Sequence, residues 1–285
     1  MQNQNKLIAG LISLIAGITG TVCAILIMNH GNNRVPRLRY RHPLSAEEFL
    51  TVAMLILYIG LFIAGAVLIL TVLKSKPVQK NSQQNLRIII ECAVMIAAAV
   101  VLSMYTKIWK APLGGSVTLF SMVPMIIIAL RHGVLWGYAA AFVYSASYWL
   151  FYGIGQIAGI STQVFVMSSL VDYILAYTLI GTAGFFKIFV DKSDTKPKKI
   201  VFTSIATLLV CLLRFAAHVT VGAVVWYEIT KENNWNEYVH TAGMWVYSII
   251  YNIQYMLPET IITLVAAPAV VTILSAVNKQ DRLQT

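Results

Sequence analysis

The sequence predicts an all-α polytopic membrane protein. Three observations carry that expectation. The 285-residue chain is 58% hydrophobic and only 11% charged, with a mean hydropathy of +0.74, which is outside the composition of ordinary soluble domains. Its apolar residues fall into long runs, most of them near the roughly 20 residues that cross a bilayer as a helix. The positive excess, a net charge of +10, sits in short loops between those runs. There it sets topology and meets anionic headgroups rather than forming a nucleic-acid patch.

Eight runs qualify as spans, at about 7–28, 50–73, 87–105, 116–130, 134–153, 164–188, 200–227 and 242–276. The first is too long for the apolar region of a signal peptide, and no small-x-small cleavage site follows it. It reads as a retained helix. A polar stretch from Lys74 to Arg87, with Pro77, Asn81 and Ser82, follows the second. It divides the chain into residues 1–80, an N-terminal two-helix transmembrane unit with its linker, and residues 81–285, a six-helix transmembrane core. The third run carries Ala93 and Ala97 at a four-residue step, a small-residue face that lets another helix approach closely. The fourth is short. Gly133 and Gly137 give the start of the fifth the same small-residue spacing. The last run is long and holds Pro258 and Pro268, which predict a kink or a break. Cys23, Cys92 and Cys211 lie inside apolar runs without a Cys-x-x-Cys, so neither a disulfide framework nor a metal site is indicated.

Loop charge orients the spans. Lys74, Lys76, Lys80 and Arg87 have no acid among them, and Lys187, Lys192, Lys196, Lys198 and Lys199 face only Asp191 and Asp194. These loops, and the tail with Lys279 and Arg282, are expected in the cytoplasm. The acidic loop 228–240 and the uncharged loop 153–163 are expected outside. Eight spans with both termini cytoplasmic satisfy this pattern. The loop with Arg34, Arg37, Arg39 and Arg41 runs against it, because that arrangement places it outside.

Polar groups at membrane depth locate the candidate site. In the seventh run Arg214, His218, Gly222 and Trp226 recur every four residues, along one side of a helix. A guanidinium and an imidazole at such depth are expected to face a protein interior or a cavity. Asp172 lies eight residues from the outer end of its run, ~12 Å deep at 1.5 Å per residue. His218 and Asn252 lie at similar depth, so a carboxylate, an imidazole and a carboxamide meet at one level. Tyr173, Trp226 and Tyr247 supply aromatic faces beside them. Such a set suits a flat, cationic, hydrogen-bonding heterocycle. Glu259, deeper and beside Pro258, is expected to form a structural ion pair with Arg214. Trp109, Trp235 and Trp245 read as an interfacial belt. No phosphate-binding glycine loop, zinc-protease motif or serine-nucleophile motif occurs. Asp172 has no second aspartate at its depth, which argues against an aspartyl dyad and an enzyme.

The core, from about Arg87 to Val277, resembles the thiamine-specific S components of energy-coupling-factor transporters. The resemblance is carried by Gly114-Gly115-Ser116-Val117-Thr118 with Pro124, by Leu130-Arg131-His132-Gly133 and by Leu170-Val171-Asp172-Tyr173. Leu213-Arg214-Phe215-Ala216-Ala217-His218 with Gly222 and Tyr247-Ser248-Ile249-Ile250-Tyr251-Asn252 with Tyr255-Met256-Leu257-Pro258 complete it. It implies a six-helix S-component-like core, here preceded by an additional two-helix transmembrane hairpin, in a bacterial plasma membrane. It also implies capture of thiamine from outside. The partners would be a transmembrane coupling subunit and two ATPase subunits, which use ATP while this chain binds no cofactor. The family's binding positions fall on Asp172, Tyr173, His218, Gly222, Trp226, Tyr247 and Asn252, and its face for docking the coupling subunit falls on Ala93 and Ala97. Two aromatic positions of some members fall on Gly115 and near Thr162. A stand-alone permease, ion-coupled or not, is the alternative, and a membrane sensor or enzyme is a more distant one.

Overall fold

The computed structural model describes residues 82–160 and 162–284. The first two predicted spans, the arginine-rich loop between them and Cys23 lie outside the described residues. The chain enters through helix α1 (Ser82–Tyr105) and makes a two-stranded antiparallel hairpin, β1 (Lys107–Lys110) and β2 (Ser116–Thr118). Helices α2 (Val123–His132) and α3 (Val134–Tyr148) come next, and α3 runs on through a π-helical segment (Trp149–Gly153) into α4 (Ile154–Ile157). The next rod is composite: α5 (Thr162–Met167), a π-helical segment (Ser168–Leu175), α6 (Ala176–Thr178), a 3-10 segment (Leu179–Phe186) and α7 (Lys187–Lys192). Helix α8 (Lys196–Val221) passes through a third π-helical segment (Gly222–Trp226) into α9 (Tyr227–Glu232). A 3-10 turn (Glu237–His240) precedes α10 (Met244–Val265) and α11 (Ala267–Gln284).

Among the described residues, Leu86–Tyr105, Val164–Lys192 and Lys196–Glu232 are long and apolar enough to cross a membrane. Met244–Val265 and Ala267–Gln280 add a fourth crossing if the pair, bent by 41°, counts as one span. The bend falls at Ala266, next to Pro268, while Pro258 lies within α10 without ending it. Pro268 occupies the first turn of α11, where a missing N–H goes unused, so a break there costs little.

The fourth predicted span needs correction. Residues 116–118 form β2, and the helix begins only at Val123. Gly114 and Gly115 take φ of +106° and +87°, left-handed values that glycine adopts freely, and they turn the chain back on itself. The helix that remains is ten residues long, about 15 Å, or half the hydrocarbon thickness. It is nonetheless central: Met125 to Leu130 are all nearly inaccessible.

Two compact units divide the described residues. One runs to His218 and resumes at Tyr251; the other holds Val219–Ile250. In the first unit, α2, α3 and the 3-10 segment cross at close range. A Cβ on Gly137 would lie 2.7 Å from the Ala129 Cβ, and one on Gly181 would lie 2.6 Å from the Tyr138 backbone. Helix packing this tight needs glycine. In the second unit, the Ser248 hydroxyl donates to the Val219 carbonyl at 2.7 Å and the Tyr227 hydroxyl to the Ala242 carbonyl at 3.0 Å. Trp245 is 2% exposed, which removes it from the predicted interfacial belt; Trp109 and Trp235 are exposed.

Candidate functional site

The first unit brings four predicted residues together. Asp172 and Tyr173 lie in the π-helical segment Ser168–Leu175, a kind of irregularity that recurs at functional sites. The Asp172 carboxylate lies 3.1 Å from Nδ1 of His218, near the end of α8. A carboxylate only accepts, so Nδ1 carries the proton, and in a neutral ring Nε2 is then an acceptor. That Nε2 is buried and has no hydrogen-bond partner. A buried polar atom left unmatched is costly, which makes it a point of attachment for a donor.

Aromatic rings surround the pair. The His218 ring meets Tyr177 edge-on at 6.2 Å between centroids and Tyr255 at 6.1 Å. The Tyr255 hydroxyl donates to Oδ1 of Asn252, so the predicted carboxamide joins the cluster through Tyr255. From Tyr177 the wall continues to Tyr148 at 5.1 Å, which also contacts Tyr152 at 5.3 Å and Tyr173 at 6.1 Å. Lys107, in the β1–β2 hairpin, places Nζ 3.2 Å from the centroid of Tyr152 and 5.7 Å from that of Tyr148. Burial, and then the like charge of Lys110, push its ammonium down to about 8.

The hairpin is fastened beside this wall. The Tyr251 hydroxyl accepts from the Leu113 N–H and donates to the Gly114 carbonyl, each at 2.8 Å. A Cβ on Gly115 would fall 2.6 Å from the Tyr255 ring, so Tyr255 occupies the space that an aromatic at Gly115 would need. Deeper, Oε1 of Glu259 accepts from Thr118 at 2.9 Å and from Ser121 at 3.4 Å. The Arg214 guanidinium lies 3.9 Å from the same oxygen, beyond hydrogen-bond range, and covers the Tyr177 ring at 4.3 Å. Thus Arg214 and Glu259 face each other, but hydroxyls from the hairpin side take the short contacts.

Gly222, Trp226 and Tyr247 belong to the second unit. Gly222 and Trp226 open and close the third π-helical segment. Tyr247 is 3% exposed, with its ring against Tyr227 at 5.8 Å and Tyr238 at 6.4 Å. Ala93 and Ala97 are both exposed on α1, on the side away from buried Cys92 and Ala99.

Sequence reasoning missed Tyr148, Tyr152, Tyr177, Tyr255 and Lys107. A signal for the tyrosines was present. They recur at four-residue steps as Tyr144, Tyr148 and Tyr152, then Tyr173 and Tyr177, then Tyr251 and Tyr255. Such steps form stripes on helices. Lys107 had no signal, because only the hairpin carries it back over the wall.

Residues 89–279 match the family described as thiamine transporter protein (Thia_YuaJ). The chain is 36% identical over 187 residues to the thiamine transporter ThiT of Bacillus subtilis (strain 168), covering 64% of this chain and 88% of the relative. Among solved structures it is similar to ThiT from Listeria monocytogenes, with a TM-score of 0.52 at 20% identity. That match covers 69% of this chain and 97% of the other. It concerns the fold, an all-helical membrane architecture. This chain therefore belongs to the thiamine transporter protein family, and it is a multi-pass membrane transporter rather than an enzyme.

Proposed function

We propose that this chain captures thiamine from outside the cell for import. In this reading it is the substrate-binding subunit of an ATP-driven energy-coupling-factor transporter, with both termini cytoplasmic. The observation that carries the proposal is the Asp172–His218 pair inside a tyrosine wall, with the buried Nε2 of His218 unmatched. Thiamine joins an aminopyrimidine, which donates hydrogen bonds, to a thiazolium, which carries a permanent positive charge. The amine suits an acceptor such as Nε2, the Asp172 carboxylate offsets the cation, and tyrosine faces attract it by about 0.5–2 kcal/mol each. Tyr173 and Asn252 enter the proposal with that pair. Gly222, Trp226 and Tyr247 enter it on the family resemblance and are tested singly. Relatives named as thiamine transporters support the ligand. The exposed alanines at 93 and 97 suit docking of a coupling subunit.

Isothermal titration of the purified protein tests capture. Thiamine is expected to bind the wild type, and Asp172→Asn is expected to weaken it by ~10-fold or more, since a hydrogen bond to a charged group contributes about 1.5–3 kcal/mol. Equal affinity in the two proteins would remove Asp172 from the site. Uptake in cells with and without the coupling subunit and ATPases tests the energising step. Full uptake without them would favour a stand-alone permease.

A further inference from the structure

Lys107 plays no part in the capture scheme, yet its ammonium occupies the less buried end of the tyrosine wall. It comes from β1, paired with β2 through Lys107 and Thr118. From there Nζ reaches over Tyr152 at 3.2 Å and stays within cation–π range of Tyr148 at 5.7 Å. The rings beneath it continue without a gap through Tyr148 and Tyr177 to His218. A ligand anchored at His218 and Asp172 by one ring thus directs its second ring along the wall toward Tyr148 and Tyr152.

We propose that Lys107 is an internal competitor for the cation seat: its ammonium and the positively charged ring of the ligand contend for the Tyr148–Tyr152 face. The proposal rests on the capture of thiamine. Two cations on one aromatic face repel each other and share its attraction, so the ligand settles only as the lysine withdraws. The lysine is held loosely enough to withdraw, because burial and Lys110 oppose its charge there. The hairpin itself offers no acid to hold it: from Lys107 to Thr118 the charged side chains are Lys107 and Lys110 alone. Lys107 therefore lowers affinity for cationic ligands in particular and sets how tightly they are held before release inward.

The test is isothermal titration of full-length wild type, Lys107→Met and Lys107→Arg with two probes, thiamine and its uncharged aminopyrimidine half. Met retains the apolar stem and removes the charge. Thiamine is expected to bind Lys107→Met roughly 2- to 30-fold more tightly, the range given by one cation–π contact. Lys107→Arg, which restores a cation, is expected to return to the wild-type value. The pyrimidine half does not reach the Tyr152 face, so its affinity is expected to stay the same in all three. Unchanged or weaker thiamine binding in Lys107→Met overturns the proposal, as does an equal gain for both probes, which would mean a wider opening rather than a lost charge. No thiamine binding to the wild type overturns the capture reading, and this inference with it.

Discussion

The buried charges of the first unit are arranged in two tiers with different partners. The upper tier, Asp172 with His218, leaves a nitrogen unmatched. In the lower tier, Arg214 and Glu259 face each other 3.9 Å apart, and Thr118 and Ser121 take the carboxylate's short contacts. Removing one member of a buried charge pair strands the other, at a cost of about 3–5 kcal/mol. Glu259→Gln alone is therefore expected to lower thermal stability more than Glu259→Gln combined with Arg214→Gln. Additive losses in a thermal-shift cycle would show that the two do not interact. Both tiers were conspicuous in the sequence, because ionisable residues inside apolar runs are rare. The tyrosine wall was not, because tyrosines near span ends usually belong to the interfacial belt. Nothing local marks Lys107, whose place depends on a hairpin whose second strand, Ser116–Thr118, the hydropathy pattern assigns to the start of a helix.

At the scale of elements, three π-helical segments carry Tyr152, Asp172, Tyr173, Gly222 and Trp226. Each inserts a residue and so turns the remainder of its helix by about 100°, one residue's share of a helical turn. Helix existence was legible from run length. Facing was not, and the four-residue stripe of Arg214, His218, Gly222 and Trp226 assumed a regular helix that ends at Val221. Glycines were equally ambiguous, since spacing alone does not tell a crossing from a bare surface. Here Gly181 lies against the Tyr138 backbone, whereas nothing lies within 4 Å of a Cβ on Gly155. Gly181→Ala is expected to destabilise by about 1–3 kcal/mol, as overpacking does. Gly155→Ala, in a helix with open space around it, is expected to be neutral or stabilising by up to ~1 kcal/mol. Thermal unfolding of the two variants in detergent compares them directly, and equal losses would dismiss the crossing as the cause.

For the whole molecule, the family match begins at residue 89, so the added N-terminal hairpin, proposed from hydropathy alone, falls outside it. The orientation proposed from loop charge is open to a direct check. In a background lacking native cysteines, Ser193→Cys is expected to resist a membrane-impermeant maleimide in intact cells, while Asn236→Cys reacts. The reverse pattern would invert the protein. The two loops differ in charge as the positive-inside rule requires, with Lys192, Lys196, Lys198 and Lys199 near the first and Glu232 and Glu237 near the second.

The glycine crossing has a mechanical consequence. It clamps α3 near Tyr138 and the composite rod near Gly181. Beyond the clamp, α3 extends ten residues to Tyr148, and the rod extends nine residues back to Asp172, about 15 and 13 Å. The two are prongs of a pair of tweezers, pivoted at the glycines. Ser145 bonds Thr178 at 3.2 Å close to the pivot, and Trp149 bonds Ser169 at 2.9 Å at the tips. A turn of about 5° at the pivot moves a tip by ~1.3 Å at that lever arm, which is enough to part the Trp149–Ser169 hydrogen bond. The spacing of the two tips is thus set at the crossing, by how closely Gly137 and Gly181 seat against their neighbours.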